Sequence, residues 1–184
     1  MQHELKISKE RIAILIGKKG ETKRRLETLT KSKINIDSKE GDVIIRGEDS
    51  LNCYLALQMI KAISRGFNPK VAQTLVDEEN CLELLDVPHH VGKSKKKHKR
   101  LKGRVIGEKG KAKRMVEQIT ETDISVYGKT IGIIGKIEDV ALARKGIIDL
   151  LAGSPHGPTY KRLQAKKKEQ KLLDLQNGRQ HKSI

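Results

Sequence analysis

Two glycines in a basic segment carry the chemistry that stands out in this sequence. Residues 104–114 read Arg-Val-Ile-Gly-Glu-Lys-Gly-Lys-Ala-Lys-Arg, with a Gly-x-x-Gly motif at Gly107–Gly110. Glycine has no Cβ, so the backbone can turn sharply there and a partner can approach closely. The second glycine opens a predicted helix, whose free N–H groups and positive dipole end favour an anion such as phosphate. The candidate binding residues at this loop are Arg104, Val105, Ile106, Gly107, Glu108, Lys109, Gly110, Lys113 and Arg114, with Ile124 and Val126 of the next predicted strand.

The same motif stands 90 residues earlier, at Gly17–Gly20. Residues 16–39 align without a gap against residues 106–129 and are identical at ten of twenty-four positions. Chance would give about one or two identities at ordinary residue frequencies. We therefore predict a tandem repeat of one domain. The matching candidates in the first copy are Ile16, Gly17, Lys18, Lys19, Gly20, Lys23, Arg24 and Ile34.

Composition points to a polyanionic partner. The 184 residues include 39 basic and 23 acidic ones, which gives a formal net charge of +16. A protein this basic usually binds nucleic acid, whereas a membrane surface fits poorly because the sequence has no tryptophan and no long basic amphipathic helix with bulky apolar residues. The beginning of the chain has no signal-peptide character, and Cys53 and Cys81 are expected to be reduced thiols. These features predict a cytoplasmic protein.

Charge is concentrated on the second copy. Residues 93–114 contain twelve Lys or Arg residues and one acidic residue, Glu108. A charge run is usually only a solvated surface, but mutual repulsion disfavours so much positive charge around one loop unless a polyanion neutralises it. Because a carboxylate beside phosphate is unfavourable, Glu108 is expected to point outward while backbone amides and Lys109 bind.

Hydrophobic periodicity predicts the same element order in each copy. That order is strand, helix, Gly-x-x-Gly loop, helix, strand, strand, helix. We predict a first domain over residues 1–80 with an extra C-terminal helix, a second over 81–160, and a basic flexible tail over 161–184, in which a frayed helix can form around Leu163–Leu175. The second copy has roughly ten more residues before its loop.

This order resembles the KH domain in its eukaryotic-type, or type I, arrangement. The fold class is then α+β, with two KH domains in tandem, each a three-stranded antiparallel sheet packed by three helices. In KH domains the Gly-x-x-Gly loop clamps the backbone of about four nucleotides. The bases lie on an apolar groove, for which Val105, Ile106, Ile124 and Val126 are the candidates in the second copy.

Further segments make the resemblance narrower. Gly103–Gly107, Ser125–Thr130, Ser64–Phe67 and Gly153–Pro158 together look like the tandem-KH small-subunit ribosome assembly factors called Dim-two or Partner of Nob, in their archaeal form. The resemblance implies binding of single-stranded small-subunit rRNA near its 3′ end, mainly by the second domain. It also implies contact with the endonuclease that trims this end and with the alpha subunit of translation initiation factor two.

Two other classes of function stay open at this point. The first copy carries less charge, so the chain is alternatively a scaffold whose KH folds dock rRNA-processing or translation initiation proteins. An enzyme is the weakest hypothesis, because no nucleotide-hydrolysing P-loop, Ser-His-Asp set or supported carboxylate pair occurs. We predict no cofactor and no metal.

Overall fold

Two copies of one small α+β unit follow each other along the chain. The computed structural model describes residues 1–92 and 94–180. Each unit has a three-stranded antiparallel sheet in which the last strand lies in the middle, with the orders β1-β3-β2 and β4-β6-β5. The first unit contains β1 (Gln2–Lys6), α1 (Lys9–Ile16), α2 (Glu21–Thr30), β2 (Lys33–Ile36), β3 (Asp42–Arg46), α3 (Ser50–Ser64) and the short α4 (Pro69–Ala72). The second contains β4 (Asn80–Asp86), α5 (Val87–Val91), α6 (Lys95–Ile106), α7 (Lys111–Thr120), β5 (Asp123–Tyr127), β6 (Thr130–Lys136), α8 (Ile137–Leu151) and α9 (His156–Gln180).

The central strand and the long third helix form the core of the first unit. Val43 and Ile45 point inward from β3 and are fully buried, as the two-residue period of a half-buried strand requires. Asp49 caps α3 by accepting hydrogen bonds from the N–H groups of Leu51 (2.7 Å) and Asn52 (3.3 Å). Three α helices and a three-stranded sheet in this order confirm the predicted α+β fold.

The extra residues of the second unit lengthen its first helical region. They form the five-residue helix α5 and add length to α6, which has 12 residues where α1 has eight. Lys93 lies outside the described residues. Helix α6 leads directly into the second glycine loop, so the insertion adds basic residues next to the candidate site.

The two units share a packed interface along β6. Ile131 and Ile133 point into the core of the second unit, while Gly132 and Ile134 face the first, so the middle of this strand is buried on both faces. A Cβ on Gly132 would lie 2.5 Å from the ring of Phe67, which means that Phe67 packs directly on the strand backbone. Only glycine at this position permits that contact.

The C-terminal segment differs from the predicted flexible tail. Residues 156–180 form one helix, α9, which packs on α7 and α8. Leu163 is 3% exposed and lies against Gly146, where a Cβ would come within 2.7 Å of its Cδ1. The predicted tail also includes residues 181–184, which lie outside the described residues. The predicted boundary between residues 80 and 81 falls at the start of β4 and stays a prediction.

Charged groups attach α9 to the second unit. Lys167 Nζ lies 2.5 Å from Asp139 Oδ1 and 2.9 Å from Glu121 Oε2, and Lys171 Nζ lies 2.6 Å from Glu121 Oε1.

Among the described residues, no helix is both long and apolar enough to cross a membrane.

The Glu121 contacts predict an acid-sensitive contribution to stability. Hydrogen bonds from Lys171 and then Lys167 lower the pKa of Glu121 from 4.5 to about 2. A carboxyl whose pKa falls on folding stabilises the protein fully above its unfolded pKa and loses that contribution as pH falls through the folded pKa. Between pH 4.5 and about 2, we expect Tm to fall more steeply for the parent protein than for Glu121→Gln. Parallel Tm curves for the two proteins in this window, measured by circular dichroism, would contradict the assignment.

Candidate nucleic-acid interface

The two glycine loops have the same backbone conformation. In the second loop Gly107 has φ 72° and ψ 177°, Lys109 has φ 50°, and Gly110 has φ 77°. The matched residues of the first loop have φ values of 72°, 51° and 78°, and these are Gly17, Lys19 and Gly20. Three left-handed or otherwise positive-φ residues within four positions fold each loop into a tight turn. The sequence repeat is therefore also a repeat of backbone geometry.

The two glycines of each motif are required for different reasons. A Cβ on Gly107 would lie 2.6 Å from the Cβ of Ala112 and 2.7 Å from its backbone nitrogen. A Cβ on Gly17 would lie 2.2 Å from Thr22 Oγ1. A Cβ on Gly110 would have no neighbour closer than 3.7 Å, so only its positive φ favours glycine. The first glycine permits close packing against the following helix, and the second permits the turn.

The second glycine leaves the start of the following helix open. Gly110 is the N-cap of α7 and has no side chain to accept from the first N–H groups, and Gly20 stands in the same place before α2. The first of these N–H groups, on Lys111, donates to the carbonyl oxygen of Glu108, and the loop residues Glu108 and Lys109 are both exposed. Helix α7 has ten residues, no side-chain cap at its N-terminus, and lysines beside it. Such an N-terminus is suited to bind an anionic oxygen.

Two predicted phosphate contacts have a positioning role in this structure. Arg114 Nη2 donates to the carbonyl oxygen of Lys109 at 2.8 Å, and Arg24 Nη2 donates to that of Lys19 at the same distance. Each arginine thus stabilises the left-handed lysine of its own loop. The remaining N–H groups of the guanidinium stay available, because arginine has five donors.

A glutamate links the loop helix to the edge strand in both copies. Glu117 Oε1 accepts from Lys113 Nζ at 2.8 Å and from the backbone N–H of Ile124 at 2.8 Å. In the first copy Glu27 accepts from Ile34 N at 2.8 Å, with Lys23 at 3.8 Å. The two glutamates were not predicted as site residues, although their identity in both copies was a usable signal. They partly neutralise the lysines that were predicted to bind phosphate.

Several predicted groove residues belong to the core. Val105, Ile124 and Ile34 are 1%, 3% and 0% exposed, because each points from its element into its own domain. The apolar surface that a base can reach comes instead from Ile106, which is 36% exposed, and from half-buried Val126. Ile16 is the half-buried equivalent of Ile106 in the first copy.

The structure places Arg104 away from a binding role. Its Nη2 donates to the carbonyl oxygens of Ser154 (2.7 Å) and Gly153 (3.3 Å), and its Nε donates to that of Leu150 (3.3 Å). Leu150 lies in the last turn of α8, and Gly153 and Ser154 follow the end of the helix, so Arg104 joins α6 to the C-terminal end of α8. Its prediction as an RNA-binding residue is therefore not supported by this geometry.

A groove lies beside the second loop and along the edge of β5. Its volume is about 440 Å³. The second domain contributes an apolar floor and a charged wall to it, formed by Ile106, Lys113, Glu117, Asp123, Ile124, Ser125 and Val126. The groove is open to the outside and the glycine loop is not sealed within the protein, so both remain accessible to a linear ligand.

The helix before the second loop supplies a positive flank. α6 contains seven lysines and arginines and no acidic residue. Like charges three or four residues apart on a helix repel each other, so this arrangement is unfavourable until a polyanion approaches. Lys102 Nζ is held by the carbonyl oxygen of Gly128 at 2.6 Å, which fixes one charge at the tip of the β5–β6 hairpin.

Comparisons with known proteins agree with this geometry. Residues 2–62 match the KH domain family, and residues 81–168 match the second KH domain of PNO1 proteins, described as a eukaryotic-type, type I KH domain. A KH domain-containing protein of Methanocaldococcus jannaschii is 41% identical over 169 residues, which cover 90% of this chain and 74% of that protein. The chain belongs to the Dim2/PNO1 family of tandem KH-domain proteins. The predicted type I arrangement and family are thereby confirmed.

Solved structures extend the similarity to the whole Dim2/PNO1 architecture. A crystal structure of an Aeropyrum pernix protein of unknown function has a TM-score of 0.93 at 32% identity and covers 98% of both chains. Dim2p from Pyrococcus horikoshii is 40% identical, with a TM-score of 0.85 in its complex with the alpha subunit of initiation factor 2 and rRNA, covering 92% of this chain and 95% of that one. The Dictyostelium discoideum RNA-binding protein pno1 is 32% identical, and the aligned region covers 74% of this chain and only 59% of that relative.

Proposed function

We propose that this protein binds single-stranded small-subunit rRNA near its 3′ end during ribosome biogenesis, without catalysing a reaction. The observation that carries the proposal is the uncapped N-terminus of α7 at Gly110, beside an open groove with an apolar floor. Helix N–H groups and Lys109 bind the phosphates, and Ile106 and Val126 support unpaired bases. Dim2p of P. horikoshii, 40% identical to this chain, forms a complex that contains rRNA.

The second domain is the stronger RNA-binding site in this proposal. Both loops have the same backbone, so the loops alone do not rank the domains. The difference is the flank, because α6 has no acidic residue whereas α1 carries Glu10 in its first turn. Phosphates entering the second loop therefore meet more uncompensated positive charge.

We propose two protein partners, of which one is supported by a relative. The P. horikoshii complex includes the alpha subunit of translation initiation factor 2, and we extend that contact to this chain. The endonuclease that trims the rRNA 3′ end is the second proposed partner, and the cytoplasm is the proposed place of action. If the contact is direct, the initiation factor subunit should still copurify with the full chain after nuclease treatment. If nuclease treatment abolishes the copurification, RNA bridges the two proteins.

The salt dependence of binding tests the phosphate contacts. For a single-stranded ligand, each neutralised phosphate contributes about −0.7 to the slope of log affinity against log salt concentration. A four-nucleotide footprint therefore predicts a slope of about −3. Lys109→Ala should reduce the magnitude of the slope by about 0.7, since its exposed ammonium lies on the loop. The matched variant Lys19→Ala should change the slope less. A slope near zero for the parent protein, in fluorescence anisotropy titrations, would contradict a phosphate-based mode.

A further inference from the structure

The groove of the second domain is lined in part by the first domain. Gly66, Phe67, Asn68 and Val71 face the same 440 Å³ space as the residues of α7 and β5. Gly66, Phe67 and Asn68 form the turn between α3 and α4, and Val71 lies in α4. One wall of the groove therefore comes from the first domain and the opposite wall comes from the second.

Specific contacts fix this wall in place. Ser125 Oγ on β5 donates to the carbonyl oxygen of Arg65 at 2.9 Å. Gly66 has φ 98°, and a Cβ there would lie 2.6 Å from Ser125 Oγ and 2.9 Å from the Cβ of Tyr127. Phe67 is 4% exposed and packs on Gly132. The wall is thus part of the packed domain interface.

Asn68 is the exposed polar side chain of the wall. Its Oδ1 accepts from the backbone N–H of Lys70 at 2.9 Å, which caps α4 and orients the side chain. The amide NH₂ is not used in that bond, so its two donors remain for another acceptor.

The opposite wall disfavours phosphate and accommodates a base. Glu117 and Asp123 line the groove. Burial, and next the charge of Glu117, raise the pKa of Asp123, although Asp123 is exposed at the edge of the groove. A phosphate in this part of the groove would meet like charge, whereas a nucleobase supplies N–H groups that carboxylates accept.

The edge strands of the two domains have different surroundings. The segments after α3 and α8 are held alike, because Arg11 donates to the carbonyl oxygen of Phe67 at 2.7 Å and Arg104 donates to those of Gly153 and Ser154. Asn35, the equivalent of Ser125, is exposed where Ser125 is half-buried. The two domains are similar in their loops and different in the surroundings of their edge strands.

We propose that the RNA groove of the second domain is a joint site of both domains, in which Gly66–Asn68 and Val71 form the outer wall and the Asn68 amide donates to a base acceptor. The acceptor is a carbonyl oxygen or ring nitrogen of an unpaired nucleobase. The proposal rests on the proposed function and adds residues of the first domain to the site of the second. It also gives a structural reason why the second site binds more tightly, because a two-walled groove removes more base surface from water.

Asn68→Asp tests the wall in the full-length protein. Aspartate caps a helix as well as asparagine does, so α4 stays capped while the amide donors are replaced by a negative charge. We expect affinity for a hexanucleotide single-stranded RNA to fall by about tenfold, the size of one lost hydrogen bond to a charged or buried group. Tm should stay unchanged.

A matched control is available on α3. Asn52→Asp makes the same chemical change in the first turn of this 15-residue helix, about 20 Å from its C-terminal end. It should leave RNA affinity within about twofold of the parent, because a charge about two Debye lengths from the groove is largely screened. Equal affinities for Asn68→Asp and Asn52→Asp would overturn the proposal.

Gly110→Asp, measured in the same titrations, separates the two levels of the argument. If Gly110→Asp abolishes tight binding and Asn68→Asp has no effect, the loop binds RNA and the joint groove is wrong. If neither variant has an effect, the proposed function is wrong as well. Crosslinking a hexanucleotide that contains 4-thiouridine should label peptides with Gly66–Val71 as well as β5, and labelling of β5 alone would overturn the joint site.

Discussion

Gly110→Asp is expected to lower the affinity of the full chain for short single-stranded RNA by about 100-fold, or about 2.7 kcal/mol. The new carboxylate would stand at the N-cap of α7, where it accepts from the helix N–H groups that we propose as phosphate donors and repels a phosphate. The site has room for it, because a Cβ at Gly110 meets nothing closer than 3.7 Å. Fluorescence anisotropy with a hexanucleotide measures the loss.

Matched variants separate charge from backbone strain. Gly110→Asn places a neutral side chain at the same positive φ, which Asn and Asp tolerate comparably, and should keep most of the affinity. Gly20→Asp makes the same change in the first domain and should weaken binding less. The reason is that α1, the helix before the first loop, carries less positive charge than α6. Gly107→Asp is less informative because its Cβ would overlap Ala112 and disturb the loop itself. Equal losses for Gly110→Asp and Gly20→Asp would contradict the ranking of the two domains.

Asp139→Ala is expected to lower the free energy of unfolding by about 2 kcal/mol, which is less than the cost of a wholly unpaired buried charge because Lys167 Nζ keeps its 2.9 Å contact with Glu121. The side chains of Lys167 and Asp139 are only 11% and 9% exposed. Burial is the largest influence on Lys167 and lowers its pKa, but the hydrogen bonds that Lys167 donates to Asp139 and Glu121 together raise the pKa above its ordinary value. Urea unfolding of the full chain measures the change.

The surface pair of the same network is the control for that loss. Lys171→Ala removes a contact to Glu121 in which both side chains are more than half exposed, so we expect less than about 1 kcal/mol. The double variant Asp139→Leu with Lys167→Met should recover much of the stability, because apolar replacements of a buried pair are often neutral. A loss in Asp139→Ala no larger than in Lys171→Ala would show that α9 is not anchored by this pair.

The loops, helices and strands were predictable because their signals are local. The Gly-x-x-Gly spacing, the two-residue period of β3 and the helical period of α3 each depend on a few neighbouring residues. The duplication strengthened each signal, since the same pattern predicted the same turn twice. The observed α2 and α3, Glu21–Thr30 and Ser50–Ser64, occupy the places that the predicted element order gives them.

The roles of individual charged residues were not predictable in this way. Arg104 and Arg114 stand in the same basic segment, yet one joins α6 to the end of α8 and the other stabilises the loop. Their partners are backbone carbonyls, and carbonyls are present at every position of any sequence. Only the packing of α6 against the end of α8 decides which carbonyl an arginine reaches.

The sequence by itself determined a tandem repeat of one α+β unit, its glycine loops and an excess of positive charge, because these follow from residue type and short spacing. The tertiary structure alone decided that α9 packs on the second domain through a buried Lys167, and that residues after α3 form a wall of the second groove. Both features join residues that are far apart in the chain. A lysine is buried, or an asparagine faces a groove, only when a distant partner is brought beside it, and no local pattern records that partner.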